Sequence, residues 1–457
     1  MSKFVRASKF RHVYGTAAKR DQCYDNLKIS RNAWDTNLVK ANPLFIGVQL
    51  EASGGGAFAV IPHGQTGKLS DSLPAFNGHS AAVLDIDFNP FNDRVVASAS
   101  EDTRAMVWTI PKAGLTESVS TPALTLSGHG RKVGHVLFNP VADNVLATTS
   151  ADFTVKLWDI TTGQEKIELT GHTEIIQSID WNYTGDLLVT TCKDKRIRIF
   201  DARLNKVVQE TAGHPGVKGA RGIFMGSLNK ICTTGFSKTS DRQVAIWDAS
   251  KLDTHIKMES IDTASGMLMP FYDADASMFY FAGKGDGNIR YYEWVDDEQG
   301  LHYLSEYKST DPQRGVTFLP KRAVDVSNVE VARAYKVTPT MVEPISFRVP
   351  RKSDAFQSDL YPDTLGDEPA LTADAFFAGE TATPHLISLE KGFTPLAREF
   401  TTSAPPPVEH AEGKGPSTEK EYQDAYHALR RENEDLKNTI AQREARIRQL
   451  EAQVGHH

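Results

Sequence analysis

Five aspartates in this 457-residue chain each stand six residues before an aromatic side chain: Asp102 before Trp108, Asp152 before Trp158, Asp194 before Phe200, Asp241 before Trp247 and Asp286 before Tyr292. An aspartate near a histidine could serve as a general acid or base. Four of the five also have a Ser or Thr four residues earlier (Ser98, Thr148, Thr190, Ser237), and Gly-His pairs lead the same units at His79, His129, His172 and His214. A catalytic acid occurs once per active site, whereas this one recurs, and the aromatic positions advance by 50, 42, 47 and 45 residues. That is the period of propeller blades. The set reads as a structural network in which the aspartate accepts from the histidine and a hydrogen bond passes on to the hydroxyl and the indole N–H.

Short strands must position such a network. In "FTVKLW", Phe153, Val155 and Leu157 fall on one strand face and Thr154, Lys156 and Trp158 on the other. "NVLATTS" and "LLVTTC" are β-branched strand stretches, and "NPVADN" and "NYTGD" supply turns. The units resemble WD repeats, and that resemblance implies an all-β, ring-closed propeller. Four clear units over 76–250, a degenerate fifth over 258–296 and strand-like stretches at 44–61 and 302–347 predict seven blades within residues 1–343.

Enzyme signatures fail on inspection. "GQTGKLS" puts Pro62 where a phosphate loop needs its first glycine and Leu69 where it needs a hydroxyl; "GKGDGN" has Asn288 in place of the last glycine of a dinucleotide fingerprint. "SGGGAF" at 53–58 reads as a turn, and the pair His456 and His457 is too small for a metal site. No catalytic residue, metal or cofactor is expected.

Hydrophobic residues make up 40% and charged residues 24%, as in a soluble folded protein. Cys23, Cys192 and Cys232 show no CxxC spacing, which excludes a zinc finger and a disulfide framework and points to a reducing, cytoplasmic setting. The charged N-terminus and the lack of any apolar run of about 18 residues predict neither secretion nor a membrane span. Residues 1–31 carry Lys3, Arg6, Lys9, Arg11, Lys19, Arg20, Lys28 and Arg31 against two aspartates, a local +6 in a chain of net −7. Such an arm suits an acidic protein surface, a nucleic acid or an anionic membrane. A pI near 6.1 and the absence of an aromatic-basic cluster argue against nucleic acid.

Beyond the propeller, residues 344–393 read as an extension packed on it, with Phe356, Leu360 and Tyr361 as anchors. Residues 394–417 carry five prolines and read as an extended, flexible linker that separates rather than packs. Residues 418–455 then read as a coiled-coil helix. Thr418 and Glu421 form a capping box, and Tyr426, Asn433, Ile440, Ile447 and Val454 alternate as a positions with Tyr422, Leu429, Leu436, Arg443 and Leu450 as d. "RIRQLE", with Arg446 and Glu451 flanking Ile447 and Leu450, resembles a short trimeric coiled-coil motif, so a homotrimer is expected.

Several long strings resemble the coronin family: "SKFRHVYG", "QCYDNLKIS", "EASGGGAF", "GHSAAVLDIDFNPFND", "CKDKRIRIFDAR", "TTGFSKTSDRQ", "LMPFYDADAS", "GKGDGNIRYYE" and "VPRKSDAFQSDLYPDT". The likeness covers residues 1–393 and the coiled coil, with a short linker as in the single-propeller coronins of protists. It implies an actin-filament-binding, non-enzymatic cytoskeletal protein of the actin cortex and phagocytic cups, acting in motility, phagocytosis and cytokinesis. It further implies oligomerisation through the coil, filament bundling, and regulation of the actin-related-protein branching complex and of cofilin. The family's functional basic residue falls on Lys28 in "CYDNLKIS", where lysine keeps the charge without the planar fork of arginine; Arg31 and the other arm cations extend the patch. Ser2 matches a position phosphorylated in some relatives. The rival reading is a WD-repeat adaptor in membrane trafficking, its basic arm making peripheral contact with anionic lipid.

Overall fold

The computed structural model describes residues 6–352 and 355–404, together with Gln423 and Arg430. Six four-stranded antiparallel sheets, spanning 39–79, 83–127, 133–169, 176–212, 221–262 and 268–308, and a seventh built on three strands within 315–348 follow one another around a ring. We number them blades 1 to 7. The seventh is completed by the N-terminus: Tyr14–Ala17 pairs with Val342–Arg348 in the register Tyr14↔Arg348 to Ala17↔Ile345, as the outermost strand. Closure by the two ends of the propeller sequence leaves no unpaired edge between first and last blades.

This closure moves a boundary. A propeller ending at 343 would cut through Val342–Arg348, which pairs with both Glu330–Val337 and the N-terminal strand. Pro344 looks like a break in the sequence, yet its carbonyl accepts the Ala18 N–H at 2.8 Å and the strand continues through it.

The aspartate network closes completely in two repeats. His79 Nδ1 meets Asp102 at 2.7 Å, His79 Nε2 meets Ser98 Oγ at 2.7 Å, and Trp108 Nε1 donates to Ser98 Oγ at 2.8 Å. His129, Asp152, Thr148 and Trp158 repeat the arrangement at 2.9, 2.7 and 2.8 Å. His79 ends the outer strand of blade 1 while the other three residues belong to blade 2, so each network clasps neighbouring blades. Burial pushes the Asp102 carboxyl up, but the bonds from His79 and the backbone N–H groups of Arg104 and Ser80 outweigh it and hold it below the usual range.

Two repeats depart from this pattern. Asp194 is taken by Arg198 at 2.7 Å and by Thr173 at 3.1 Å rather than by His172, which keeps only its bond to Thr190 among the network's members. In blade 5, Thr233 rather than Ser237 receives His214 and the Trp247 N–H, at 3.0 and 2.8 Å, and Gln243 stands opposite His214 Nδ1. Asp241 instead caps its own turn through Ser237 and Thr239. The cause is hairpin length: hydroxyl and indole are 14 residues apart here against 10 in blade 2. The four-residue spacing to Ser237 is thus a coincidence of a longer loop.

Because each blade is an antiparallel meander, its first and third turns lie at one end and its second turn, with the link to the next blade, at the other. We call the second end the upper face. The extension covers the lower face. Leu360 and Tyr361 are buried against blades 6 and 7, the Tyr361 hydroxyl donates to the Glu330 carbonyl at 2.9 Å, and Phe356 stacks on Tyr361. The short helix Ala373–Phe377, capped by Thr372, sets Phe376 edge-on to Trp181 in the core between blades 3 and 4.

The chain then stays on the propeller past the point where a linker was expected. The Leu396 N–H reaches Asp367, Asn92 donates to the Arg398 carbonyl, Phe400 and Ala404 join the core of blades 2 and 3, and Ser403 N–H bonds the Thr161 carbonyl at 2.8 Å. Residues 394–404 therefore pack, because Phe400 and the blade turns supply apolar and hydrogen-bonding partners that a proline count does not reveal. The rest of the linker and the coil residues Leu429, Asn433, Leu436, Ile440, Arg446, Ile447, Leu450, Glu451 and Val454 lie outside the described residues.

Candidate functional site

Among the described residues no group of three or more His, Cys, Asp or Glu could hold a metal ion. The three cysteines are free and buried, and burial pushes the Cys23 and Cys192 thiols up to about 11. What the surface offers is charge.

The basic N-terminal residues do not form one arm. Ser2 and Lys3 lie outside the described residues. Arg6 is ion-paired to Glu293 of blade 6, and Lys9 donates to the Asp359 carbonyl of the extension at 2.7 Å, both toward the lower face. From there the segment climbs the outside of the ring as the closing strand. Arg11 is half-buried, and Lys19 and Arg20 are exposed beyond that strand, with Arg20 bonded to Asp25 at 2.7 Å. Bonds from the Asn26 N–H and from Arg20 hold the Asp25 carboxyl below its usual range. The segment is then stitched to blade 1, where Tyr24 and Asp25 pair in parallel with Gly67 and Lys68.

Lys28 and Arg31 arrive on the upper face. The backbone around Lys28 is fixed by three bonds: Leu27 N–H to the Thr340 carbonyl at 2.8 Å, Glu51 N–H to the Lys28 carbonyl at 2.7 Å, and Ser30 N–H to the Gln49 carbonyl at 3.0 Å. The Lys28 side chain is exposed and pairs with no carboxylate among the described residues. Arg31 reaches Glu51 only at 3.7 Å, with its side chain 78% exposed. An ion pair that long and that wet contributes little and leaves the guanidinium available.

Other cations share this face. Arg131, Lys193, Lys195, Lys218 and Lys238 are exposed in the upper loops of blades 2 to 5. Lys195 donates to the Pro215 carbonyl at 2.9 Å and Lys218 to the Ser265 carbonyl at 3.0 Å, so both are oriented without being neutralised. Sequence reasoning missed them because it looked for a contiguous cluster. The usable signal was their register: "HGRK" and "CKDKR" sit at the blade-link and second-turn positions, which the repeat sends to one end of every blade.

Beneath this face lies a polar cavity of about 220 Å³ in the channel, lined by Asp85, Asp180, His135, Lys40 and Arg221 among others. Burial pushes the Asp85 and Asp180 carboxyls up to about 7 and the His135 imidazole down to about 3, so the channel opposes the charged form of all three. Asp85, Asp87 and Asp180 accept backbone N–H groups of Val136, Phe138 and Phe224 on the next blade, at 3.2, 2.9 and 2.7 Å. These acids stitch inner strands together.

Comparison with known proteins places the sequence. Residues 3–68 match a domain of unknown function, DUF1899; residues 70–109, 120–159 and 163–201 match the WD domain, G-beta repeat; residues 342–384 match a type of WD40 repeat. The chain is 53% identical over 450 residues to Coronin-A of Dictyostelium discoideum, covering 98% of this chain and 100% of that protein. It is 50% identical over 393 residues to the coronin-like protein crn1 of Schizosaccharomyces pombe, covering 85% of this chain and 65% of that protein. Among solved structures, the WD40 domain of Toxoplasma gondii coronin superposes with a TM-score of 0.79 at 33% identity, covering 83% of this chain and 97% of that one. A chain of the mitotic checkpoint complex, at 14% identity and a TM-score of 0.54, shares the fold.

Proposed function

The chain belongs to the coronin family, and from that membership and the charge of its upper face we propose that it is a cytoskeletal protein that binds actin filaments through Lys28, Arg31 and the neighbouring loop cations. The observation that carries this reading is the pairing state of those side chains. Arg6 and Arg20 are paired with carboxylates and Lys9 is tied to the extension on the lower face, whereas Lys28, Lys195 and Lys218 stand on the upper face with no carboxylate partner in the described fold. Uncompensated cations on a rigid face suit an acidic filament surface and accelerate encounter with it. Lysine at position 28 acts as a point charge rather than a bidentate fork, so the contact tolerates Lys28→Arg and not Lys28→Glu.

Residues 418–455 join copies into a coiled-coil oligomer, a trimer by the "RIRQLE" pattern, and make a weak single-propeller contact multivalent. Linking sites in this way raises apparent affinity by about 10²–10⁴ and allows one oligomer to bundle filaments. Filament-bound oligomers then modulate the branching complex and cofilin-driven turnover. A phosphate on Ser2 would add negative charge to the binding protein and weaken it. The lipid-adaptor reading relied on a free basic arm, which the ties of Arg6 and Lys9 to the lower face disfavour.

Cosedimentation with actin filaments across a salt series tests the proposal on the full chain, residues 1–404 and Lys28→Glu. Binding should fall with salt and with Lys28→Glu, and weaken on loss of the coil. Absence of pelleting at low salt, with capture by anionic vesicles instead, would turn the assignment toward the adaptor.

A further inference from the structure

The residues that follow Lys28 leave the rim and cross the mouth of the channel. Asn32 Nδ2 donates to Glu101 of blade 2 at 3.4 Å, Trp34 Nε1 to the Gly134 carbonyl of blade 3 at 2.9 Å, and Thr36 Oγ1 to the Leu84 carbonyl of blade 2 at 2.6 Å. The Asp35 carbonyl accepts from Arg221 of blade 5 at 2.6 Å and its carboxylate from Lys284 of blade 6 at 3.1 Å. Five consecutive residues, Asn32 to Thr36, can touch four blades only near the ring axis, so the segment is a strap across the upper face.

Trp34 seats that strap. Its half-buried indole lies under the Lys132 ammonium, 4.6 Å from the ring centroid, and 6.0 Å from the His135 ring. Blade 3 makes room for it with a glycine: a Cβ at Gly134 would fall 2.3 Å from the indole. Local bonds carry its position back toward Lys28. Trp34 N–H donates to Asn32 Oδ1 at 2.8 Å, Asn32 N–H to Ser30 Oγ at 3.3 Å, and Arg31 N–H to Glu51 at 2.8 Å.

We propose that Trp34 is a positioning residue for the filament-binding face: pinned on blade 3, it holds Lys28 and Arg31 in register with the loop cations of blades 2 to 5. The inference rests on the filament reading above. Its physical basis is preorganisation, because charges that are already ordered lose less freedom on binding. Trp34 itself need not touch the filament.

The test is a double-mutant cycle read by actin-filament cosedimentation with the full chain at fixed salt, using Trp34→Ala, Lys28→Ala and the pair. Trp34→Ala should weaken binding about 3- to 10-fold, the cost of ordering one or two side chains. In the Lys28→Ala background the same change should cost clearly less. Gly134→Ala, which displaces an intact indole, should reproduce the loss, and it carries the test if Trp34→Ala does not fold; thermal melts establish that each variant retains the propeller. Full affinity in a folded Trp34→Ala or Gly134→Ala variant, or losses at positions 28 and 34 that simply multiply, would overturn the inference while leaving the filament reading intact. Failure of the unsubstituted chain to pellet would overturn both, and is read separately.

Discussion

Arg242 of blade 5 closes on Asp286 of blade 6 at 2.7 Å, in the place where blades 2 and 3 hold the repeat aspartate with a histidine. Its guanidinium also forks onto Asp262 with two bonds of 2.6 Å, and its side chain is 1% exposed. Removing Arg242 leaves Asp286 without a cation while Asp262 keeps Arg290; breaking a buried pair in this way costs up to about 3–5 kcal/mol. Arg242→Met should therefore lower stability by that order in denaturant unfolding, and Arg242→Lys by less, since lysine keeps the charge but cannot bridge two carboxylates in a plane. An unchanged midpoint for Arg242→Met would show that the clasp does not hold blades 5 and 6 together.

Aspartates at the same repeat spacing should answer differently to the same substitution. Asp102→Ala strands His79 Nδ1 inside the blade 1–2 junction, hands the exposed Ser80 and Arg104 N–H groups to water, and should cost about 1–3 kcal/mol. Asp241→Ala removes only bonds within its own turn, so its melting curve should overlay that of the unsubstituted chain. Equal losses at the two sites would contradict the division of roles seen here.

These residues show what the sequence could and could not convey. Blade number and period were legible because the Asp-to-aromatic spacing survives even where the histidine has been replaced, as at Asp286. The identity of the hydroxyl in blade 5 was not, because a longer hairpin brought Ser237 into the expected spacing while Thr233 kept the position in space. The coronin likeness pointed to Lys28, and the structure places it on the upper face. The division of the other arm cations between two faces was hidden, since it depends on Tyr14–Ala17 running as a strand from one face to the other. Trp34 carried no repeat signal at all; its partners lie 100 residues away in blade 3.

Acidity should act on the channel through its two raised carboxyls, Asp85 and Asp180. Asp85 and Asp180 titrate near 7 in the fold and near 3.8 when unfolded, so between those values the folded chain holds more protons. Their contribution is present at low pH and is lost as pH rises from about 4 to 7. Asp85→Asn imitates the protonated carboxyl and removes this loss. The melting temperature of Asp85→Asn relative to the unsubstituted chain should rise between pH 5 and pH 8; a difference that stays constant or falls would mean that Asp85 is ionised in the fold.

The segment 394–404 sets the last expectation. Phe400 packs with Ala404 against the core that contains Leu124, Leu146 and Trp158, and Thr402 and Ser403 both bond the Thr161 carbonyl. A chain ending at 404 should melt with the full-length propeller, whereas one ending at 393 exposes that apolar seam and loses the backbone bonds to blade 3. Half-burial of one phenylalanine is worth about 1 kcal/mol, so Phe400→Ser in the full chain should reproduce much of the difference between the two truncations. The same substitution frees a stretch of tether without touching the upper face. Single-propeller filament affinity should then stay constant, and any change in bundling would report the length of chain between propeller and coil. Identical stability of the 393 and 404 truncations would return residues 394–404 to the linker.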